Sequence, residues 1–232
     1  MLIFTYINCH YNPVGNKMRR HSHIDHLITY FDTCLRFFPT IHQTNELAIP
    51  PNIIRDNNDN DLSYSEKNSS ISMLRINHCG EVCAQALYQA QAIFAKDASI
   101  QQNLQHAAIE EVNHLTWCKT RLAELNGKTS YLSPLFGLGS FFIGSIFGLA
   151  SDKWSLSFLA ETEYQVAKHL DSQLQNLPER DHKTQAILKQ MRIDELNHAI
   201  TAESNGAVAL PRSIKFLMQS CAKIMTTTTK YI

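Results

Sequence analysis

From residue 72 onward, apolar positions recur at three- and four-residue intervals: Met73, Leu74, Ile76, Val82, Ala86, Leu87, Ala90, Ile93 and Phe94. Side chains three and four apart share one face of a helix, so this period predicts a helix from Ser72 to about Lys96. Asp97 and Ser99 supply turn and cap chemistry, and a second helix is expected from about Ile100 to Leu125. Asn126-Gly127 then stops it, because both residues tolerate the left-handed conformation that ends helices. After Asp152 a third helix carries Leu156, Leu159, Val166, Leu170 and Leu174 towards Pro178, and a fourth follows from about Glu179 to Gly206. Four long helices in two hairpins predict an all-α four-helix bundle.

Two segments depart from bundle patterning. Residues 131–150 are almost entirely apolar, yet they contain Pro134 and Gly137, Gly139, Gly144 and Gly148. Their length nearly matches a membrane span. The glycines and proline are expected to weaken a continuous helix, so an interfacial crossover is expected rather than a spanning one. From Pro211, the residues Ile214, Phe216, Leu217, Met218, Cys221, Ile224 and Met225 form a broad apolar face beside Lys215 and Lys223, as an interfacial helix would. Towards the other end, residues 1–17 lack periodicity and Met18 offers an alternative start. A short peripheral helix is expected over Ile24, Leu27, Ile28, Phe31 and Leu35. Pro50, Pro51 and the Asn/Asp run from Asp56 to Asp61 then mark a solvated linker. The resulting organisation is an extension of unknown role (1–17), a helix and linker (18–69), a bundle containing the apolar crossover (70–206) and an amphipathic membrane-association segment (207–232).

Charge narrows the partners. Lys plus Arg equal Asp plus Glu at 21 each, so no global field recruits nucleic acid. Cys9, Cys34, Cys79, Cys83, Cys118 and Cys221 show no CxxC spacing, which argues against a zinc module and a secreted disulfide framework. The first residues lack a secretory pattern, so a reducing, internal compartment is expected. His21, His23 and His26 crowd the basic N-terminal helix and read as surface residues, and Cys79 and Cys83, one helical turn apart, read as small core residues.

The chemistry lies in a repeated pattern. Glu81 is followed about thirty residues later by the pair Glu111 and His114; Glu163 is followed at a similar interval by Glu195 and His198. With a rise of about 1.5 Å per residue, a turn near Asp97 places Glu81 and Glu111 at one height, and a turn near Pro178 does the same for Glu163 and Glu195. The i, i+3 spacing puts each glutamate and histidine on one helical face. Six donors thus converge on two ions, in a mixed oxygen and nitrogen shell that suits iron or manganese. Eleven glutamates and eleven histidines yield roughly half an ExxH by chance. Three occur; Glu179 with His182 follows Pro178 directly, has no partner glutamate upstream, and is taken as the chance one. Glu161 competes with Glu163, and periodicity separates them poorly, although the half-repeat spacing prefers Glu163. Asp194 is a candidate to orient a ligating histidine, with a surface salt bridge as the competing role.

The stretches Leu74-Arg75-Ile76-Asn77-His78-Cys79-Gly80-Glu81, Glu111-Val112-Asn113-His114, Ala160-Glu161-Thr162-Glu163 and Asp194-Glu195-Leu196-Asn197-His198 together resemble the demethoxyubiquinone hydroxylase family. The resemblance runs from about Met18 to the C-terminus and departs at Cys79, where the family more often has alanine. It implies a ferritin-like bundle whose iron ligands fall on Glu81, Glu111, His114, Glu163, Glu195 and His198. It also implies two Fe ions per chain, O2 as cosubstrate and reducing equivalents from an unidentified donor, NADH being one candidate. The implied reaction hydroxylates a polyprenyl methoxy-benzoquinol, and its partners would be that quinol, a membrane surface and accessory proteins of ubiquinone biosynthesis. The implied location is peripheral, on the cytoplasmic face of a bacterial-type cell membrane. The rival readings are an iron-storage or manganese-catalase-like protein, which has no need of the apolar crossover, and a non-catalytic helical binding protein, which leaves the doubled ligand pattern unexplained.

Overall fold

The computed structural model describes residues 62–231. The N-terminal extension, the helix expected after Met18 with its three histidines, and the linker up to residue 61 lie outside the described residues, while residues 64–69 of the expected linker belong to a helix. Six helices follow in order: α1 (Tyr64–Phe94), α2 (Ala98–Glu124), α3 (Ser133–Ala150), α4 (Asp152–Asn176), α5 (His182–Ser204) and α6 (Arg212–Thr229). The described residues contain no strand. α1 pairs with α2 and α4 pairs with α5, and the two hairpins pack into a four-helix bundle.

The helix ends follow local chemistry. α1 begins before its apolar period because Ser63 and Glu66 form a capping box: Glu66 N donates to Ser63 Oγ (3.3 Å) and Ser63 N to Glu66 Oε2 (2.8 Å). The polar stretch after Tyr64 carries no apolar repeat, so hydrophobic periodicity alone places this start too late. α2 stops where expected, with Asn126 at φ 60°. α5 starts at His182 rather than Glu179, because Pro178 to Asp181 form a turn and the Asp181 carboxylate accepts Thr184 N (3.1 Å).

Two polar clamps fasten the hairpins at opposite ends. Asp152 at the start of α4 accepts the backbone N–H groups of Lys96 (2.9 Å) and Asp97 (3.0 Å). At the other end, the buried Arg121 of α2 donates to Asp181 Oδ1 (2.8 Å) and Thr184 Oγ1 (3.1 Å). Between the clamps the core forms two apolar clusters, one around Leu87, Leu104, Leu156 and Leu159, the other around Leu74, Leu122, Leu170, Leu188 and Met191. The polar layer described below lies between them and is thereby shielded from bulk water.

The crossover is a continuous helix, which differs from the weakened one its glycines suggest. Pro134 falls in the first turn, where the missing N–H has no partner to lose. Gly144 and Gly148 face α1 so closely that a Cβ at Gly144 would lie 2.8 Å from Leu87 O, and one at Gly148 3.0 Å from Phe94 Cβ. Helix packing onto α1 thus offsets their poor helix propensity. α3 runs parallel to α1 and returns the chain to the end where α4 begins. Its other side exposes Leu135, Leu138, Phe142, Ile146 and Leu149. α6 returns over the same side of the bundle, held at its start by Lys215 against Glu161 and at its end by Arg75 Nη1 donating to Lys230 O (2.9 Å). Phe216, Leu217 and Ile224 remain exposed on it.

Candidate metal centre

The six residues singled out from spacing meet in the middle of the bundle. Glu81 comes from α1, Glu111 and His114 from α2, Glu163 from α4, and Glu195 and His198 from α5. All six are buried. Donor atoms of Glu81, Glu111, His114 and Glu195 lie within 4.8 Å of one another, and so do those of Glu163, Glu195 and His198. The two groups share Glu195. Glu111 also spans them: Oε2 is 3.1 Å from His114 Nδ1, while Oε1 is 3.3 Å from His198 Nδ1. Glu195 does likewise, at 3.3 Å from His114 Nδ1 and 3.6 Å from His198 Nδ1. Glu111 and Glu195 are therefore placed between two positions, with Glu81 and Glu163 outside them.

Both imidazoles turn Nδ1 inward and are held by Nε2 from outside, and the two holds cross over. Asp194 Oδ2, beside Glu195, lies 3.1 Å from His114 Nε2; Glu110 Oε2, beside Glu111, lies 2.8 Å from His198 Nε2. A carboxylate on one ring nitrogen fixes the tautomer that presents the other to a metal. The role suggested for Asp194 thus has this geometric support. Glu110 escaped the sequence reading, although its place before Glu111 repeats that of Asp194 before Glu195. Glu161 turns away to Lys215 and Gln165 Nε2 (2.9 Å), whereas Glu163 points inward. Glu179 and His182 are exposed.

The family model described as ubiquinone biosynthesis protein COQ7 matches residues 68–229, a span that contains every residue of this centre. The chain belongs to the COQ7 family. It is 47% identical over 207 residues to the 3-demethoxyubiquinol 3-hydroxylase of Polynucleobacter necessarius subsp. necessarius (strain STIR1), covering 89% of this chain and 98% of that one. It is also 47% identical over 217 residues to the enzyme of the same name from Legionella pneumophila (strain Corby), covering 93% and 100%. Among solved structures it is similar to the dodecameric thioferritin of Bacteroides fragilis, with TM-score 0.51 and 18% identity over 60% of this chain and 84% of that one. That likeness speaks for a ferritin-like fold.

The electrostatics of this COQ7-family centre test whether two divalent cations fit it. Burial raises the carboxyl of Glu81 well above its usual range, reinforced by the charges of Glu111 and Glu195. Burial and the charge of Glu195 do the same to Glu163. Burial also pushes Glu111 and Glu195 upward, but His114 and His198 outweigh it for Glu111, and Glu163 followed by the two histidines outweighs it for Glu195, so both are held below the usual range. Burial opposes charge on the histidines, yet the surrounding carboxylates raise His114 well above its ordinary value and His198 to about 12. Four carboxyl groups and two imidazoles are thus crowded into one buried layer. Two divalent ions would bring four positive charges, matching four carboxylates and leaving two neutral imidazoles as further ligands. The donor set fits, and metal affinity is expected to rise with pH because binding displaces protons. Glu111 Oε1, Glu163 Oε2, both Glu195 oxygens and His198 Nδ1 are buried without a hydrogen-bond partner, as atoms meant for an ion would be.

A cavity of about 290 Å³ opens beside this layer on the α2/α5 side. Tyr88, Leu104, Leu156 and Leu159 give it an apolar lining, Asn103 and Asn197 polar groups, and Glu110 and His198 its contact with the centre.

Proposed function

We propose that this chain is an O2-dependent di-iron hydroxylase of demethoxyubiquinol in ubiquinone biosynthesis. The observation that carries the reading is the buried layer in which two Glu-x-x-His pairs and two lone glutamates converge, in a chain whose family and relatives are those of that step. Glu81, Glu111, His114, Glu163, Glu195 and His198 would hold the two iron ions. When bound, the irons supply the activation of dioxygen that a buried set of carboxylates and imidazoles cannot perform alone.

The chain's own residues do the rest. Glu111 and Glu195 reach both positions, so they can hold two ions close together. Asp194 and Glu110 orient the imidazoles, and the apolar clusters above and below exclude water. Hydroxylation places one oxygen atom on the ring and reduces the other to water, so two electrons must arrive from a donor. The exposed faces of α3 and α6 seat the bundle on a lipid surface from which a prenylated quinol can be taken. α3 is long and apolar enough to cross a membrane. Because it lies along α1, however, a crossing would drag α1 and its charged neighbours into hydrocarbon, so it rests at the interface. The surface is expected to be the cytoplasmic face of the cell membrane, where accessory proteins of the same biosynthesis can meet it.

Lipid extraction from cells lacking this protein tests the step directly. The expected result is accumulation of the demethoxy precursor, reversed by the intact chain and not by Glu195→Ala. Normal ubiquinone in those cells, or accumulation of an earlier precursor, would refute it.

A further inference from the structure

The repeat that pairs Glu81 with Glu163 carries position 88 onto position 170, and there the halves part. Position 170 is Leu170, buried in the apolar cluster beyond the site. Position 88 is Tyr88, with no exposed surface and a hydroxyl that donates to Glu163 Oε1 at 2.8 Å. Its ring stands edge-on to the His198 imidazole, with centroids 5.8 Å apart, and forms part of the cavity wall. A buried tyrosine hydroxyl needs a partner, and this one uses an oxygen of the lone glutamate contributed by the opposite hairpin. The other oxygen of Glu163 has no hydrogen-bond partner.

We infer that Tyr88 is a positioning residue that makes the two metal positions unequal, by tying Glu163 Oε1 and so favouring Oε2 as the oxygen offered to the ion beside His198. The inference rests on the di-iron reading above. Leu170 carries no donor and cannot do the same for Glu81. The position held by Glu163, Glu195 and His198 therefore has a restrained carboxylate and borders the cavity. The position held by Glu81, Glu111 and His114 has neither a tyrosine donor from the repeat nor a place in that cavity wall. Tyr88 touches no reacting atom and acts through the orientation of Glu163.

The test is a titration of metal-stripped protein with Co(II), followed by visible absorption and calorimetry. Wild-type protein is expected to bind two ions in distinguishable steps. Tyr88→Phe is expected to weaken one step by about tenfold, the usual scale for losing a hydrogen bond to a ligand, and to leave the other within about twofold. Leu170→Met should move neither. With 57Fe, only one of the two Mössbauer doublets should change. Superimposable titrations of Tyr88→Phe and wild type would overturn the role of Tyr88 and leave the di-iron reading standing. Equal weakening of both steps would also overturn it, as general loosening. A wild-type chain that takes up no pair of ions would overturn both. If Tyr88→Phe does not fold, 3-fluorotyrosine at position 88 keeps the ring and strengthens its donor; a shift confined to one step supports the inference, and no shift refutes it.

Discussion

The first hairpin, α1 with α2, and the second, α4 with α5, carry the same ligand pattern but not the same surroundings. His114 of the first is 1% exposed, with Trp117 beside it and Asp194 behind it. His198 of the second is 9% exposed, borders the cavity, and is held by the half-exposed Glu110. The repeat therefore provides the charge and the donors, while departures from it decide which side can be approached. Each histidine is also oriented by the other hairpin, so neither half is complete alone.

The largest expected effects come from removing a ligand from one half. Glu163→Ala should abolish hydroxylation and the uptake of at least one iron, because an unpaired ion in a dry site is not tolerated. Glu161→Ala, two residues away, should retain most activity and full iron content, since its partners are Lys215 and Gln165. Metal analysis beside a hydroxylation assay separates the two, and the reverse ranking would move the ligand to Glu161.

Next in size is the crossed support. Asp194→Asn and Glu110→Gln each leave a shape that fits but withdraw the charge behind a histidine, and outer partners of this kind typically carry ~10–100-fold in metal affinity or activity. The Asp194 variant is expected to show the larger loss, because its histidine is the more deeply buried. Equal losses would mean that burial does not distinguish the halves.

Most of this centre was legible in the sequence because metal chemistry demands particular residues at helical spacing, and the doubled interval from lone glutamate to Glu-x-x-His left few alternatives. Glu161 against Glu163 was not settled by periodicity, since the apolar positions of this helix do not mark one face sharply enough to choose between two glutamates that must point in opposite directions. The structure separates them through Lys215, a residue from the far end of the chain. Tyr88 gave no signal, because a lone tyrosine at an apolar helical position reads as core. The start of α1 was hidden because a capping box works through two polar side chains, which a search for apolar periods passes over. The crossover misled differently. Its glycines read as helix weakeners, while their purpose is close approach to α1, a tertiary fact.

A smaller effect concerns His78, a histidine of the first hairpin at the position where the repeat places Ala160 in the second. Burial, with a lesser contribution from the charge of Lys119, lowers its pKa from 6.5 to about 4. The folded protein thus refuses a proton that the unfolded chain accepts. This part of the stability is intact above about pH 6.5 and is lost as pH falls towards 4. The full loss is on the order of 3 kcal/mol. Denaturant unfolding of wild type and His78→Gln at matched metal content should show a steeper decline for wild type between those pH values. Parallel curves would remove His78 from the account.

The smallest effects lie on α3, which lies along the first hairpin's α1. Gly144→Ala sets a Cβ 2.8 Å from Leu87 O and 2.9 Å from Ala90 Cβ. A backbone carbonyl cannot swing aside, so the helices must separate, at about 1–3 kcal/mol as for other overpacked contacts. Gly139→Ala, on the same helix, meets nothing within 4 Å. There the substitution removes only the backbone freedom of glycine, and a gain of about 0.5–1 kcal/mol is expected. Thermal unfolding should therefore move in opposite directions for two identical substitutions little more than one turn apart. The separation caused at Gly144 also bears on the metal layer, since α1 carries Glu81 and Tyr88. If α3 is what holds α1 in register against α4, Gly144→Ala should lower iron occupancy as well as stability, whereas Gly139→Ala should leave occupancy unchanged. Full occupancy in a destabilised Gly144→Ala protein would show instead that the crossed ligands fix the register by themselves.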